Sequence, residues 1–133
     1  MSSDAFDALS RTKTVYLTTW SASGKSGTVP IWFFEHHRRI YFCSQRDTLK
    51  VRRIRRSGHA ALHIGSRHGP QLTCTARIVD DDPEVRQRLV QTYRRRYWLR
   101  WLFLGPRIQR ALNRGEEVII ELTPDIEQAC MPT

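Results

Sequence analysis

From Val15 to Trp20 the chain alternates in a stretch rich in β-branched and aromatic residues: Val15, Leu17 and Thr19 face one way, Tyr16, Thr18 and Trp20 the other. That period of two predicts a first strand. "SASGKSG" then supplies a Gly and Ser turn, and "TVPIWFFE" and "RRIYFCS" read as two further strands joined by a polar hairpin at His36 to Arg39, expected to pair with each other. "HAALHIG" and "QLTCTARIVD" alternate again, with Leu62 and Ile64 on one face and Leu72, Cys74, Ala76 and Ile78 on another, around a turn containing Gly69-Pro70. "EVIIELTP" offers Val118, Ile120 and Leu122 before Pro124, which is expected to stop the pairing. The count is six strands.

Two segments carry a helical period instead. In "DDDPEVRQRL", Asp82 is placed to cap a helix whose first turn holds Pro83, and Val85, Leu89, Tyr93 and Tyr97 recur every four residues as an apolar stripe. The other segment is "SQRDTLKVRRIRRSG", where Asp47 or Thr48 is the N-cap, Val51 and Ile54 face inward, and Ser57-Gly58 ends the helix. Short strands with one helix after strand three and another before the last strand predict a mainly β fold, a closed or nearly closed antiparallel barrel. A doubly wound βαβ sheet does not fit this order.

With 133 residues and 40% hydrophobic composition, a single domain over residues 1–133 is expected. A formal charge of +9 calls for an anionic partner: nucleic acid, a membrane surface, or a phosphorylated or polycarboxylate small molecule. Cys43, Cys74 and Cys130 form no CxxC pair, which suits a reducing cytosol. The start "MSSDAFDALSRTK" lacks a signal-peptide core, and "YWLRWLFLG" is interrupted by Arg100 and too short for a bilayer span. A cytoplasmic protein without a membrane span is expected.

The basic helix concentrates the charge, with six Lys or Arg from Arg46 to Arg56. If it starts near Asp47, its free amides and positive dipole end lie close to Ser44, Thr48 and Lys50, with Arg53 on the same face one turn later. Amides, two hydroxyls, a Lys point charge and an Arg fork are the donors a phosphate needs to replace its hydration shell. Arg52, Arg55 and Arg56 point elsewhere. An exposed helix also carries such charge simply into solvent. The preceding strand weighs against that, since Pro30 in "VPIWFF" cannot donate to a ladder and marks an edge, a bulge or a place beside a bound ring.

Taken in order, "LSRTKTVYLTT", the Pro30-x-Trp32-Phe33 strand, the Lys50-x-x-Arg53 helix, "ARIVDDDPEV" and "VIIELTP" resemble the split β-barrel flavin and deazaflavin oxidoreductases, relatives of pyridoxamine 5′-phosphate oxidase. The resemblance covers most of the chain. It implies a six-stranded split barrel of the FMN-binding type that forms a homodimer, with the cofactor in a groove between subunits. Carried over to this sequence, Ser44, Thr48, Lys50 and Arg53 correspond to phosphate ligands, and Pro30, Ile31 and Trp32 to the backbone shelf beside the ring system. Similar proteins often use the deazaflavin coenzyme F420, whose anionic tail suits the surplus charge and the arginines Arg94, Arg95, Arg96 and Arg100. The implied function is hydride transfer from reduced F420 to an electron-poor organic substrate, such as a conjugated alkene, tetrapyrrole or quinone. FMN as cofactor, or a non-enzymatic cofactor or heme binder on the same fold, is the alternative.

Other chemistries find less in the sequence. On a strand His59 and His63 would stand about 13 Å apart, too far to share one ion easily, and His36 and His37 diverge in a turn. No metal site is expected. No Ser-His-Asp or Cys-His arrangement is recognisable, so catalytic side chains stay unassigned, as a hydride carrier allows because it brings its own reactive carbon. Signatures of nucleic-acid binding are missing, and no nucleic-acid partner is expected.

Overall fold

The computed structural model describes residues 15–69, 71–79 and 82–125. Its strands are β1 (Val15–Trp20), β2 (Ser26–Ile31), β3 (Phe34–His36), β4 (Arg39–Gln45), β5 (His59–Ile64), β6 (Gln71–Ile78) and β7 (Glu117–Pro124). They pair antiparallel in the order β2-β1-β5-β6-β7-β4-β3. β2 and β3 stand at opposite ends of this order, yet only Trp32 and Phe33 separate them along the chain. The sheet therefore has to curl until its two ends come together at that step, giving a mainly β antiparallel barrel, split along one line, with helices on its flank.

This corrects the strand count from six to seven. The run "TVPIWFFE" is two strands: Ser26–Ile31 pairs with β1, and only Phe34–His36 pairs with β4. Apolar residues on both sides of the step, with Phe33 fully buried, hide it from a periodicity reading. The β3–β4 hairpin turns on His37 and Arg38, both at positive φ (52° and 63°), the conformation that matches the right-handed twist of a two-residue turn. Pro124 does not stop the ladder either; it pairs with Cys74 as the last residue of β7.

The helices are α1 (Leu49–Ser57), α2 (Pro83–Arg96) and α3 (Trp98–Asn113). α1 begins at Thr48 and stops at Gly58, whose φ of 72° suits glycine and lets its N–H close on the Ile54 carbonyl at 2.8 Å. Asp82 caps α2 by accepting from the amides of Glu84 (3.0 Å) and Val85 (3.3 Å). α3 is a second correction, because two helices were expected and this third one runs through Gly105-Pro106, a pair that ordinarily breaks a helix. A side chain at Gly105 would collide with the Trp101 indole, so the small residue lets that ring fold back along its own helix.

Two apolar clusters result. One fills the barrel with Leu17, Phe33, Phe42, Ile54, Leu62 and Ile120; the other joins the outer face of β4 and β7 to α2 and α3 through Tyr41, Leu89, Tyr93, Trp101 and Ile119. β7 is thus covered on both sides, and its buried Glu121 is kept charged by its partners. Burial opposes the charge, but Arg77 donates at 2.7 Å, Tyr41 donates at 2.9 Å and Arg39 lies at 3.7 Å, and together they hold the carboxyl below its ordinary range.

Candidate functional site

A cleft of about 210 Å³ opens where the N-terminal end of α1 meets the β1–β2 ribbon. Thr48, Leu49, Lys50 and Arg53 line it from the helix, Thr19 from β1, and Gly27 and Val29 from β2. The antiparallel register brings the strand residues together, since Thr19 pairs directly with Gly27. Three of the seven residues nominated from the sequence, Thr48, Lys50 and Arg53, thus share one concavity.

Arg53 is fixed in it. Its Nη1 donates to the Thr19 carbonyl at 3.1 Å, while its Nε is buried with no hydrogen-bond partner among the described residues. An unsatisfied buried donor on a guanidinium costs about 1–3 kcal/mol, so it marks a place where an acceptor is wanted. Gly27 makes room for this arrangement, because a side chain there would lie 3.0 Å from Arg53 Nη1. At the helix start no side chain caps the first amides. The Thr48 hydroxyl donates instead to the Gln45 carbonyl at 3.0 Å, leaving the first-turn N–H groups without a side-chain cap.

Lys50 is half-buried, and burial lowers its pKa while the charge of Glu117 counters that shift. Glu117 is in turn raised by burial, with Cys43 and Lys50 drawing it back. Burial and the nearby Glu117 push the Cys43 thiol well above its ordinary range, which favours the protonated form. Val29 and Leu49 complete the cleft with exposed apolar surface, 39% and 58% accessible. Donors for an anion therefore stand beside exposed apolar surface.

The other nominated residues lie around this cleft without lining it. Ser44 is buried, its Oγ 3.1 Å from Thr48 Oγ1, and it reaches the cleft only through Thr48. Pro30 is exposed on the end strand β2, where a missing N–H disrupts no ladder, and the Ile31 side chain packs into the core. The Trp32 ring stacks on Tyr97 at 4.4 Å and meets Tyr93 edge-on, while its carbonyl accepts the Tyr93 hydroxyl at 2.8 Å. Of the arginines assigned to a tail, Arg96 lies 4.8 Å over the Phe33 ring; Arg94, Arg95 and Arg100 are exposed. Thr19, Gly27, Val29 and Leu49 were not foreseen. Of these only Gly27, in a Gly-rich turn, carried a local signal.

A curled antiparallel barrel, split along one line and flanked by helices, defines the split-barrel class. Residues 2–128 match the model of the pyridoxamine 5′-phosphate oxidase family, and the chain belongs to that family. Solved structures with this fold include a Listeria innocua protein provisionally assigned as a pyridoxamine 5′-phosphate oxidase (17% identity, 93% of each chain, TM-score 0.67). They also include HutZ, the heme storage protein of Vibrio cholerae (13% identity, 92% of this chain and 88% of that one, TM-score 0.68). An F420 reductase aligns at 17% identity over 89% of this chain and 90% of its own, with a TM-score of 0.58. At such identities the likeness is one of fold. No curated protein matches the sequence.

Proposed function

We propose that this chain is an oxidoreductase that binds F420 through a phosphate at the start of α1 and presents it to an electron-poor organic substrate. The observation that carries the reading is the buried, unpartnered Arg53 Nε beside Lys50, Thr48 and the uncapped amides of α1. Arg53 supplies a directional donor and Lys50 a point charge, with the helix amides, and the Thr48 hydroxyl once turned from the Gln45 carbonyl, completing an anion's shell. Val29 and Leu49 offer apolar contact on the side where a ring would lie, and Pro30 and Ile31 continue β2 as a backbone shelf.

When bound, the deazaflavin supplies the hydride-carrying carbon. The chain's part is to fix the phosphate, orient the ring and exclude water. A second copy completing the groove, as a homodimer, is part of the proposal. FMN is the alternative because the same donors accept its phosphate. The fold likeness to a heme storage protein supports testing a non-enzymatic binder too. Titrating the purified protein with F420, FMN and hemin, followed by fluorescence and absorbance, separates the three. Micromolar binding of F420 is expected and, with reduced F420 as the hydride donor, turnover of an activated alkene or quinone; binding of hemin alone would overturn the reading.

A further inference from the structure

The second half of the molecule carries a different surface. On α3, Trp98, Leu99, Leu102 and Phe103 are 60%, 60%, 67% and 81% accessible. At 100° per residue these four fall within one sector of about 140°. The side of the helix that adjoins this sector, with Trp101, Gly105 and Leu112, is buried, and Trp101 meets Tyr93 edge-on at 6.5 Å. That anchored side prevents α3 from rolling to hide Phe103. Four large apolar side chains in a row are therefore held outward by a packed support.

The charge around them has one sign. From Val85 to Gly115 the sequence holds nine arginines and no Asp, Glu or Lys. Arg100 and Arg107 border the apolar sector on α3, and Arg94 and Arg95 end α2 just before it; all four are exposed. A second copy of the chain would be a poor occupant, because a twofold contact lays the same patch on itself and sets these arginines against their own kind.

We infer that this face of α3 docks on the surface of an anionic lipid membrane, with Trp98, Leu102 and Phe103 entering the headgroup–acyl boundary and Arg94, Arg95, Arg100 and Arg107 on lipid phosphates. Trp and Phe wedges with arginines beside them are what the two layers of that boundary accept. α3 lies along the surface in this arrangement. No helix among the described residues is long and apolar enough to cross a membrane.

Co-sedimentation of the full chain with phosphatidylcholine vesicles, with and without phosphatidylglycerol, tests it. Binding to the anionic vesicles that weakens with salt is expected, with little binding to phosphatidylcholine alone. The double variant Leu102→Ser, Phe103→Ser should lower partitioning by about tenfold or more, and Arg100→Gln by a few-fold. Phe103→Trp should retain binding, which together with an unchanged circular dichroism spectrum excludes a folding defect as the cause. Undiminished pelleting of the double variant, or no pelleting of the unaltered protein at low salt, would overturn the inference. So would light scattering in which the double variant converts a dimer to a monomer while neither form binds vesicles, since the face would then belong to a second copy.

Discussion

Two stretches of this chain carry most of its cations, six from Arg46 to Arg56 around α1 and nine from Arg86 to Arg114 across α2 and α3, and the structure treats them differently. In α1 the cations are built into the fold: Arg53 and Arg56 donate to the carbonyls of Thr19 and Trp20, and half-buried Lys50 answers Glu117. In the second stretch Arg94, Arg95, Arg100 and Arg107 stand in solvent beside exposed apolar side chains. Positive charge by itself is thus no guide to a site. Desolvation and a fixed partner are, because they aim a donor and raise the energy of leaving it unmet.

The largest expected effect sets the two stretches directly against each other. Lys50→Ala or Arg53→Ala should weaken binding of F420, or of FMN, by about 1–3 kcal/mol each. Arg52→Ala and Arg55→Ala, on the exposed side of α1, and Arg95→Ala should change it by less than about 0.5 kcal/mol. Fluorescence titration of each variant measures this. Equal losses from all five would mean diffuse attraction, and the distinction between a built pocket and a basic surface would fail.

Arg96, like Arg86, whose Nη2 donates to the Leu112 carbonyl at 3.4 Å, is tied down within the second stretch and sharpens the comparison from the other side. Its guanidinium covers the Phe33 ring at 4.8 Å and its Nη1 donates to the Phe33 carbonyl at 3.4 Å, at the step where β2 gives way to β3. Arg96→Ala should therefore lower stability to urea by about 0.5–1.5 kcal/mol and leave cofactor affinity nearly unchanged. Loss of binding without loss of stability would instead place Arg96 in the site.

The difference between the stretches was partly legible in the sequence. Helical spacing alone placed Lys50 and Arg53 on one face, because three residues make one turn and no distant partner is needed to say so. Thr19, Gly27 and Val29 escaped notice because they join the cleft through strand pairing between segments that look, locally, like any other ribbon. The barrel class followed from alternation. The break at Trp32-Phe33 and the helix through Gly105-Pro106 did not, since in both places tertiary packing, Phe33 in the core and Trp101 against Gly105, overrides the local signal.

Gly27 offers a milder perturbation of the built stretch. A methyl group at this position approaches Arg53 Nη1 to 3.0 Å, so Gly27→Ala should displace the guanidinium by a few tenths of an ångström without removing it. A loss of about 0.5–1 kcal/mol in cofactor affinity is expected, smaller than that of Arg53→Ala. Combined with Arg53→Ala it should add almost nothing, because the two act through one group. Additive losses in that double-mutant cycle would show that Gly27 serves the cleft in some other way.

The smallest effect concerns the carboxylate behind Lys50. Burial raises the pKa of Glu117 above 4.5 in the folded chain, although Lys50 and Cys43 oppose the shift. A carboxylate whose folded pKa lies above its unfolded value makes the folded state hold the extra proton. Its charge therefore diminishes stability at neutral pH, and the penalty fades as pH falls through the folded pKa towards the unfolded one. Glu117→Gln should accordingly raise stability at neutral pH by a few tenths of a kcal/mol and change it little below pH 4.5. The same substitution removes the charge that holds the Lys50 pKa up against burial, so cofactor affinity should begin to fall at a lower alkaline pH than in the unaltered protein. Denaturant melts across pH, with affinity titrated alongside, read both at once. A stability loss at neutral pH, with an unmoved alkaline limb, would mean that Lys50 owes its state to the cleft alone and that the two groups are not coupled.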